Sequence, residues 1–324
     1  MAELEFRTAV RDALDEELER DPDVLFFGED VAVAGGVFAA TTGLYEKYGP
    51  ERVIDTPISE LAIVGAAFGS AVSGKRPVME IMFADFLPLV MDSVINQMTK
   101  YWYISKEQAS VPVVIRASCG AGGRFGAIHS QTPVSWLLGV PGLKIVAPSN
   151  PADAKGLLKA AIRDDNPVLF LEHKRLYSIK GEVNGSEPIP IGKASVVREG
   201  GDLTIVTAMK TVHDALEAAE TLSGQGIEAT VIDLRTLRPI DIDTILASVE
   251  QTSRILVVEE GPETGGWAGE VLAKVTERAL YNLDQAWRLT TDDLPIPYSP
   301  TLEDAFLPNA DAIVRSVTER LGSS

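Results

Sequence analysis

Glu60 is the side chain in this sequence whose surroundings most suggest chemistry. It stands in Ile54-Asp-Thr-Pro-Ile-Ser-Glu-Leu-Ala-Ile-Val-Gly-Ala-Ala-Phe-Gly69, which reads as a short strand, a turn closed by Pro57 and a helix beginning near Ser59. Ser59 is a natural N-cap, and Asp55 and Glu60 bring acid to the positive end of the helix. From Leu61 to Gly69 no residue is polar, and a helix without a polar face is expected to be buried on all sides. A carboxylate at the mouth of such a helix has two readings. It is a first-turn acid worth about 0.3–1 kcal/mol through the helix dipole, or a group held against one specific partner. Taken by itself, the stretch favours the first.

A second centre is Cys119-Gly-Ala-Gly-Gly-Arg-Phe-Gly126, a glycine loop ending at Ile128-His-Ser-Gln-Thr-Pro133. It lacks the lysine and Ser/Thr that follow a phosphate loop, and it does not open a helix straight after a strand as a dinucleotide fingerprint does. Glycine permits positive φ and close backbone approach, so the loop suits a mobile segment beside a reactive centre. His129, one of three histidines, is the candidate there for proton transfer; His173 and His213 carry no assigned role. Cys119 is the only cysteine. It reads as a small buried residue, and it excludes intrachain disulfides and cysteine-built metal sites.

The elements around these residues alternate. Phe6, Val10, Leu14 and Leu18 recur every four residues and predict an amphipathic helix. Val24–Phe27 reads as a buried strand with Gly28-Glu29-Asp30 at its carboxyl end, where parallel sheets place functional groups. Strands are expected at Pro77–Met82, Val111–Arg116, Leu143–Val146 and Pro167–Leu171, with helices over about 88–106 and from Pro151 to Arg163. The pattern lapses from about 174 to 200, where Lys180–Pro190 carries turn and breaker residues. It resumes with strands at Asp202–Val206, Glu228–Leu234 and Arg254–Val258, and helices near 211–223, 241–249, 267–281 and 309–321. The fold class is α/β with mainly parallel sheets, in two domains: residues 1–180, a linker at 181–200, and residues 201–324.

Composition agrees. A chain of 324 residues supports about two domains. The net charge of −18, from 29 basic and 47 acidic residues, argues against a nucleic-acid partner; it maintains solubility and would steer a basic partner domain. No apolar run reaches membrane-spanning length, and the acidic start Met-Ala-Glu-Leu-Glu-Phe lacks the order of a signal peptide. The expected location is cytoplasmic, with no membrane partner.

Taken together, Gly28-Glu-Asp-Val31, Asp55-Thr-Pro-Ile-Ser-Glu60, Phe83-Ala-Asp-Phe86, His129-Ser-Gln131, Pro141-Gly-Leu-Lys-Ile-Val146, Asp153-Ala-Lys-Gly-Leu-Leu158, Ile162-Arg-Asp-Asp-Asn-Pro167 and Val231-Ile-Asp-Leu-Arg-Thr236 resemble one family. It is the β subunit of the thiamin-diphosphate-dependent E1 component of 2-oxo acid dehydrogenase complexes. The resemblance runs along essentially the whole chain. It implies a pyrimidine-binding fold followed by a transketolase C-terminal-like α/β domain, and an α2β2 heterotetramer with thiamin diphosphate shared between α and β subunits. The cofactor's diphosphate and Mg2+ are held by a Gly-Asp-Gly…Asn motif on the α subunit. This chain has Gly201-Asp202-Leu203 but no Gly-Asp-Gly, which agrees with a half-site that is inactive alone. The expected partners are the E1 α subunit and the lipoyl acyltransferase (E2).

The resemblance also assigns residues. The essential glutamate falls on Glu60, which bonds N1′ of the aminopyrimidine and so promotes removal of the thiazolium C2 proton. Glu29 matches a second acid near that ring, Phe86 the aromatic that packs on it, and His129 the histidine near the substrate and the incoming lipoyl group. A potassium site maps to Val113, Ala161, Ile162, Asp164 and Asn166, although Asp-Asp-Asn-Pro after a helix is also an ordinary turn. The implied reaction is oxidative decarboxylation of a 2-oxo acid with acyl transfer to lipoyl-E2. Pyruvate is favoured on general frequency. Leu87-Pro-Leu-Val90 is apolar where pyruvate-specific relatives often carry glutamine, and Met82–Phe86 and Glu172–Tyr177 also look like acetoin-cleaving and branched-chain relatives. A split transketolase-like half and a non-catalytic docking subunit are the remaining alternatives.

Overall fold

The four-residue repeat at Phe6 forms the helix Phe6–Arg20, which buries Phe6, Val10, Leu14 and Leu18. That stripe packs against a second helix, Pro151–Arg163. The second helix starts as its sequence requires: Pro151 follows Asn150, whose side chain accepts the Asp153 N–H at 2.9 Å. Charge pairs close the seam. Arg163 reaches the fully buried Glu17 at 2.6 Å, and Lys159 reaches Glu16 at 2.6 Å. Gly156 is needed in this helix, because a Cβ there would lie 2.5 Å from Ile189.

The computed structural model describes residues 2–185 and 187–321. The chain divides into two units, Met1–Cys119 with Gly139–Ile191, and Gly120–Leu138 with Gly192–Ser324. In the first, parallel strands lie in the order Lys144–Val146, Val168–His173, Val114–Cys119, Arg76–Phe83, Val24–Gly28, Val53–Asp55. Ile145, Leu169, Ile115, Met79 and Phe27 face one another across it. The near-continuous apolar runs suit a sheet buried on both faces. Its carboxyl edge presents Gly28, Asp55, Phe83, Cys119 and His173.

Several expectations change. The strand expected at Val111–Arg116 is displaced to Val114–Cys119. The long helix over 88–106 is broken into a 3-10 segment, Ala84–Val90, a π-helical segment, Ser93–Met98, and an α-helix, Thr99–Ile104; Pro88 donates no hydrogen bond and disfavours a regular α-helical ladder there. The helix from Glu60 runs to Val72 and is not buried on all sides. Ile63, Val64, Ala67 and Ala71 face inward, while Leu61, Ala62, Gly65, Ala66 and Gly69 are exposed. Positions four apart share a helix face, so the outward side is a stripe of small residues. The expected linker holds strands. Lys180–Val183 pairs antiparallel with Ala2–Glu5, and Ser195–Arg198 forms an antiparallel edge of the second sheet; Ser186 in that stretch lies outside the described residues.

The second unit's sheet runs Gln285–Thr291, Arg254–Pro262, Leu203–Thr207, Ala229–Asp233, Ser195–Arg198. The helices Thr211–Ser223 and Ala310–Leu321 cover it through Ala215, Ala219, Leu222, Ile313 and Val317. The strand Gln285–Thr291 and a short helix, Pro300–Phe306, had no counterpart in the sequence reading. Among the described residues no helix is long and apolar enough to cross a membrane.

Glu259 is buried in this unit and accepts the N–H groups of Trp267 (3.1 Å) and Ala268 (2.7 Å) at the start of the helix Trp267–Ala279. Burial pushes its carboxyl from 4.5 up to about 7, against the lowering effect of those two bonds. The folded chain therefore keeps a proton that the unfolded chain releases, so this contribution to stability falls as pH rises from about 4.5 to about 7. The urea midpoint of this unit should drop across that window. Glu259→Gln should flatten the slope; an unaltered slope in the variant would show that another group sets it.

Candidate active site

The parallel register sets Gly28 opposite Asp55, and two bonds join these strand ends. Asp55 Oδ1 accepts the Ala32 N–H at 2.8 Å, and the Thr56 N–H donates to Gly28 O at 2.9 Å. The chain turns sharply after Gly28, where a Cβ would lie 2.5 Å from Val31 Cγ1. This places Glu29, only 7% exposed, beside the start of the helix Glu60–Val72. Glu29 takes a hydrogen bond from the Ser59 backbone. Ser59 is the N-cap as expected, but its side chain makes no capping bond; its carbonyl accepts Ala62 N–H and Ile63 N–H, both at 3.0 Å. Asp55, read as a second acid at this helix end, instead anchors the loop at Ala32.

Glu29 and half-buried Glu60 are thus neighbours. Burial raises the Glu29 carboxyl above the ordinary range, and the charges of Glu60 and Asp30 raise it further. Two carboxylates close together do not readily ionise at once. Glu29 Oε1 is buried and meets no donor among the described residues, so this carboxyl could bond a polar ring presented to it.

Phe86 lies in the Ala84–Val90 segment, which packs against the helix carrying Glu60. Its ring stands edge-on to Phe83 at 5.8 Å; Phe83 meets Phe38 at 6.1 Å, and Phe38 stacks on Tyr177 at 4.6 Å. This aromatic run anchors Phe86 to the core. Glu29, Glu60 and Phe86 therefore gather at the carboxyl edge of the first sheet. Leu87 is buried while Leu89 is 57% exposed.

His129 belongs to the second unit. It is half-buried, and its N–H donates to Gly126 O at 3.4 Å. The glycine loop before it has an occupant for its backbone donors. Ala121 N–H goes to Glu260 Oε1 (2.7 Å), Gly122 N–H to Glu303 Oε1 (2.8 Å) and Arg124 N–H to Glu303 Oε2 (3.2 Å). The loop is not a phosphate site in this fold, because carboxylates already take the N–H groups a phosphate would need. Glu260, Glu303 and Arg124 were not anticipated. Ser299 followed by Pro300 is a helix-start signal that could have drawn attention to the segment bearing Glu303. His173 Nδ1 accepts the Arg175 N–H at 3.2 Å, a turn-forming bond.

The expected potassium site comprises Val113, Ala161, Ile162, Asp164 and Asn166, and oxygens of the first four already accept hydrogen bonds. Arg76 bonds Ile162 O (2.9 Å) and Asp164 O (2.7 Å), Val168 N–H bonds Val113 O (2.9 Å), and Asp164 N–H bonds Ala161 O (3.2 Å). The Asp164 carboxylate accepts Asn166 N–H (2.9 Å) and pairs with Lys144. Carbonyl oxygens have a second lone pair, but the Arg76 guanidinium and the Lys144 ammonium already bring positive charge to Asp164. Asp202, the aspartate of the incomplete motif, accepts the Glu228 N–H at 2.8 Å. Among the described residues no cluster of His, Cys, Asp or Glu could hold a metal ion.

Comparison with known proteins decides the family. Residues 2–180 match the transketolase pyrimidine-binding domain and residues 192–313 the transketolase C-terminal domain. Three relatives align over nearly their whole length. The β subunit of acetoin:2,6-dichlorophenolindophenol oxidoreductase of Cupriavidus necator is 45% identical, over 98% of this chain and 97% of its own. The β subunit of 2-oxoisovalerate dehydrogenase of Bacillus subtilis is 46% identical (98% and 99%), and the pyruvate dehydrogenase E1 β subunit of the same organism 45% (99% and 99%). The chain belongs to this E1 β-subunit family. A solved structure described as a split gene transketolase, inactive β4 tetramer, superposes with a TM-score of 0.81 at 25% identity, over 97% of each chain. The resemblance and the two-domain α/β architecture expected from the sequence are thereby shown. As an E1 β-type chain the protein falls among thiamin diphosphate enzymes. The raised, partnerless oxygen of Glu29 beside Glu60, with an aromatic ring on a neighbouring segment, fits the polar edge and flat face of an aminopyrimidine.

Proposed function

We propose that this chain is the β subunit of an α2β2 E1 enzyme that oxidatively decarboxylates a 2-oxo acid, pyruvate first, and passes the acyl group to the lipoyl arm of an E2 acyltransferase. The observation that carries this reading is the Glu29–Glu60 pair at the carboxyl edge of the first sheet. Thiamin diphosphate, when bound, supplies the carbanion-stabilising chemistry. Glu60 and Glu29 bind its aminopyrimidine edge and hold the proton exchanged there, and Phe86 packs on the ring face. His129 delivers a proton during acyl transfer. Mg2+ and the diphosphate are left to the α subunit, and potassium is the ion for the oxygens around Asp164. The exposed small-residue face at Gly65 and Gly69, where a Cβ would meet nothing within 4 Å, is where a helix of another subunit packs closely. The acidic excess favours docking of the basic peripheral domain of the acyltransferase.

Three relatives of 45–46% identity bear three different substrates in their names, so identity does not rank the substrate. Pyruvate is placed ahead of 2-oxoisovalerate and acetoin on general frequency. The chain is to be co-expressed with a candidate α subunit and assayed on all three, with and without thiamin diphosphate, in sodium and in potassium buffers. The expected result is thiamin-dependent turnover, highest on pyruvate, by the tetramer and none by this chain alone. A well-formed tetramer without thiamin-dependent turnover would sink the enzyme reading.

A further inference from the structure

The glycine loop that carries His129 is folded around an internal anion. Gly122 and Arg124 both have positive φ, +82° and +63°, so the peptides here turn their N–H groups inward to form a concave nest of the kind that binds anions. The group inside that nest is the carboxylate of Glu303, fully buried and distant in sequence on the helix Pro300–Phe306. Its Oε1 accepts Gly122 N–H and its Oε2 accepts Arg124 N–H, at 2.8 and 3.2 Å. The Arg124 guanidinium closes the arrangement, bonding Glu303 Oε2 and holding Asp304 with bonds of 2.7 and 2.8 Å. Bonds of backbone and guanidinium donors to an ionised carboxylate are the strong kind. Glu260 ties the two ends of the same loop, accepting Ala121 N–H at 2.7 Å and the Thr132 hydroxyl at 3.2 Å.

We propose that Glu303 is a positioning residue for this enzyme: as the anion inside the loop's backbone nest, it fixes the conformation in which His129 is presented for acyl transfer. A loop so rich in glycine has many conformations of similar energy, and the buried charge selects one. The proposal rests on the acyl-transfer role given to His129 above. Glu303 is fully buried and its carboxylate is engaged by the loop, so its loss should affect the step that needs the loop in place.

The test uses the α–β assembly and two assays. Decarboxylation is read with an artificial electron acceptor, and acyl transfer is read as acylation of a lipoyl domain. Glu303→Gln should leave decarboxylation within about twofold and slow acyl transfer about 10- to 100-fold, the scale of a small misplacement of a reacting group. Limited trypsin digestion should cut after Arg124 faster than in wild type, and Glu303→Asp should recover part of both effects. Arg124→Gln, altered on the outer side of the loop, should show the same split if Glu303→Gln does not fold. A loop that becomes trypsin-sensitive while acyl transfer stays normal overturns the positioning role, as does an equal fall in both rates. His129→Ala separates the two readings. Normal acyl transfer in that variant removes the role of His129 itself, whereas impaired transfer there with normal transfer in Glu303→Gln removes only the role of Glu303.

Discussion

Glu60→Gln in the assembled enzyme should lower turnover by about 10²–10⁴-fold, the range lost with a positioned acid or base, without disturbing assembly. The fold does not depend on the Glu60 charge. The first turn of its helix is closed by the Ser59 carbonyl, and Ser59's own backbone donor goes to Glu29. Glutamine has the same size and leaves those bonds in place. A first-turn acid acting only through the helix dipole predicts the reverse, a stability loss of about 0.3–1 kcal/mol and no change in rate. Near-normal turnover would restore that plainer role. The variant also affects its neighbour. Burial is the main cause of Glu29's raised carboxyl and Glu60's charge the next, so removing that charge should let Glu29 ionise at lower pH. Any residual activity should carry an acid limb displaced in that direction.

Much of this architecture was legible because it is written in local periodicity. The stripe from Phe6 to Leu18, the Asn150-Pro151 helix start and the apolar runs of the first sheet each specify their element without outside help. The failures have physical causes of equal clarity. A helix of small apolar residues was expected to be buried all round, but composition does not distinguish a face packed on the protein's core from one left exposed; Leu61 is 62% exposed. The apolar pattern over 88–106 continued through Pro88, so it hid a change of helical pitch. At the site, Glu29, Glu60 and Phe86 were expected from the resemblance, and the strand register explains why the two acids adjoin. Glu303 was out of reach for a different reason. It lies 181 positions from Gly122, in a segment of seven residues without a marked period, and its partners are backbone N–H groups that every sequence possesses. Nothing in residue type signals such a bond.

The largest expected effect on stability lies behind the acid pair. Arg116 is 1% exposed, and its guanidinium is divided between two carboxylates: Glu80 at 2.8 Å, directly opposite in the register, and Glu172, which takes two bonds of 2.6 and 2.9 Å from the other neighbouring strand. Phe26 covers its face at 5.6 Å. Burial pushes the Glu80 carboxyl up, and Glu172 adds to that, while Arg116 pulls it down. Arg116→Met keeps most of the apolar stem but leaves two buried carboxylates facing each other, and losing one partner of a buried ion pair costs about 3–5 kcal/mol. For a unit of this size that corresponds to a fall in Tm of roughly 6–20 °C. The triple variant Arg116→Met, Glu80→Leu, Glu172→Met tests the cause, because replacing a whole buried network with apolar groups of similar volume is often neutral or stabilising. Recovery in the triple variant would show that the single substitution harms the fold through its stranded charges. Equal loss in both would show instead that stranded charges are not the cause. Glu80 also feels the charge of Glu29. The single variant should therefore disturb Glu29 as well, with Arg116 no longer offsetting the negative charge of Glu80.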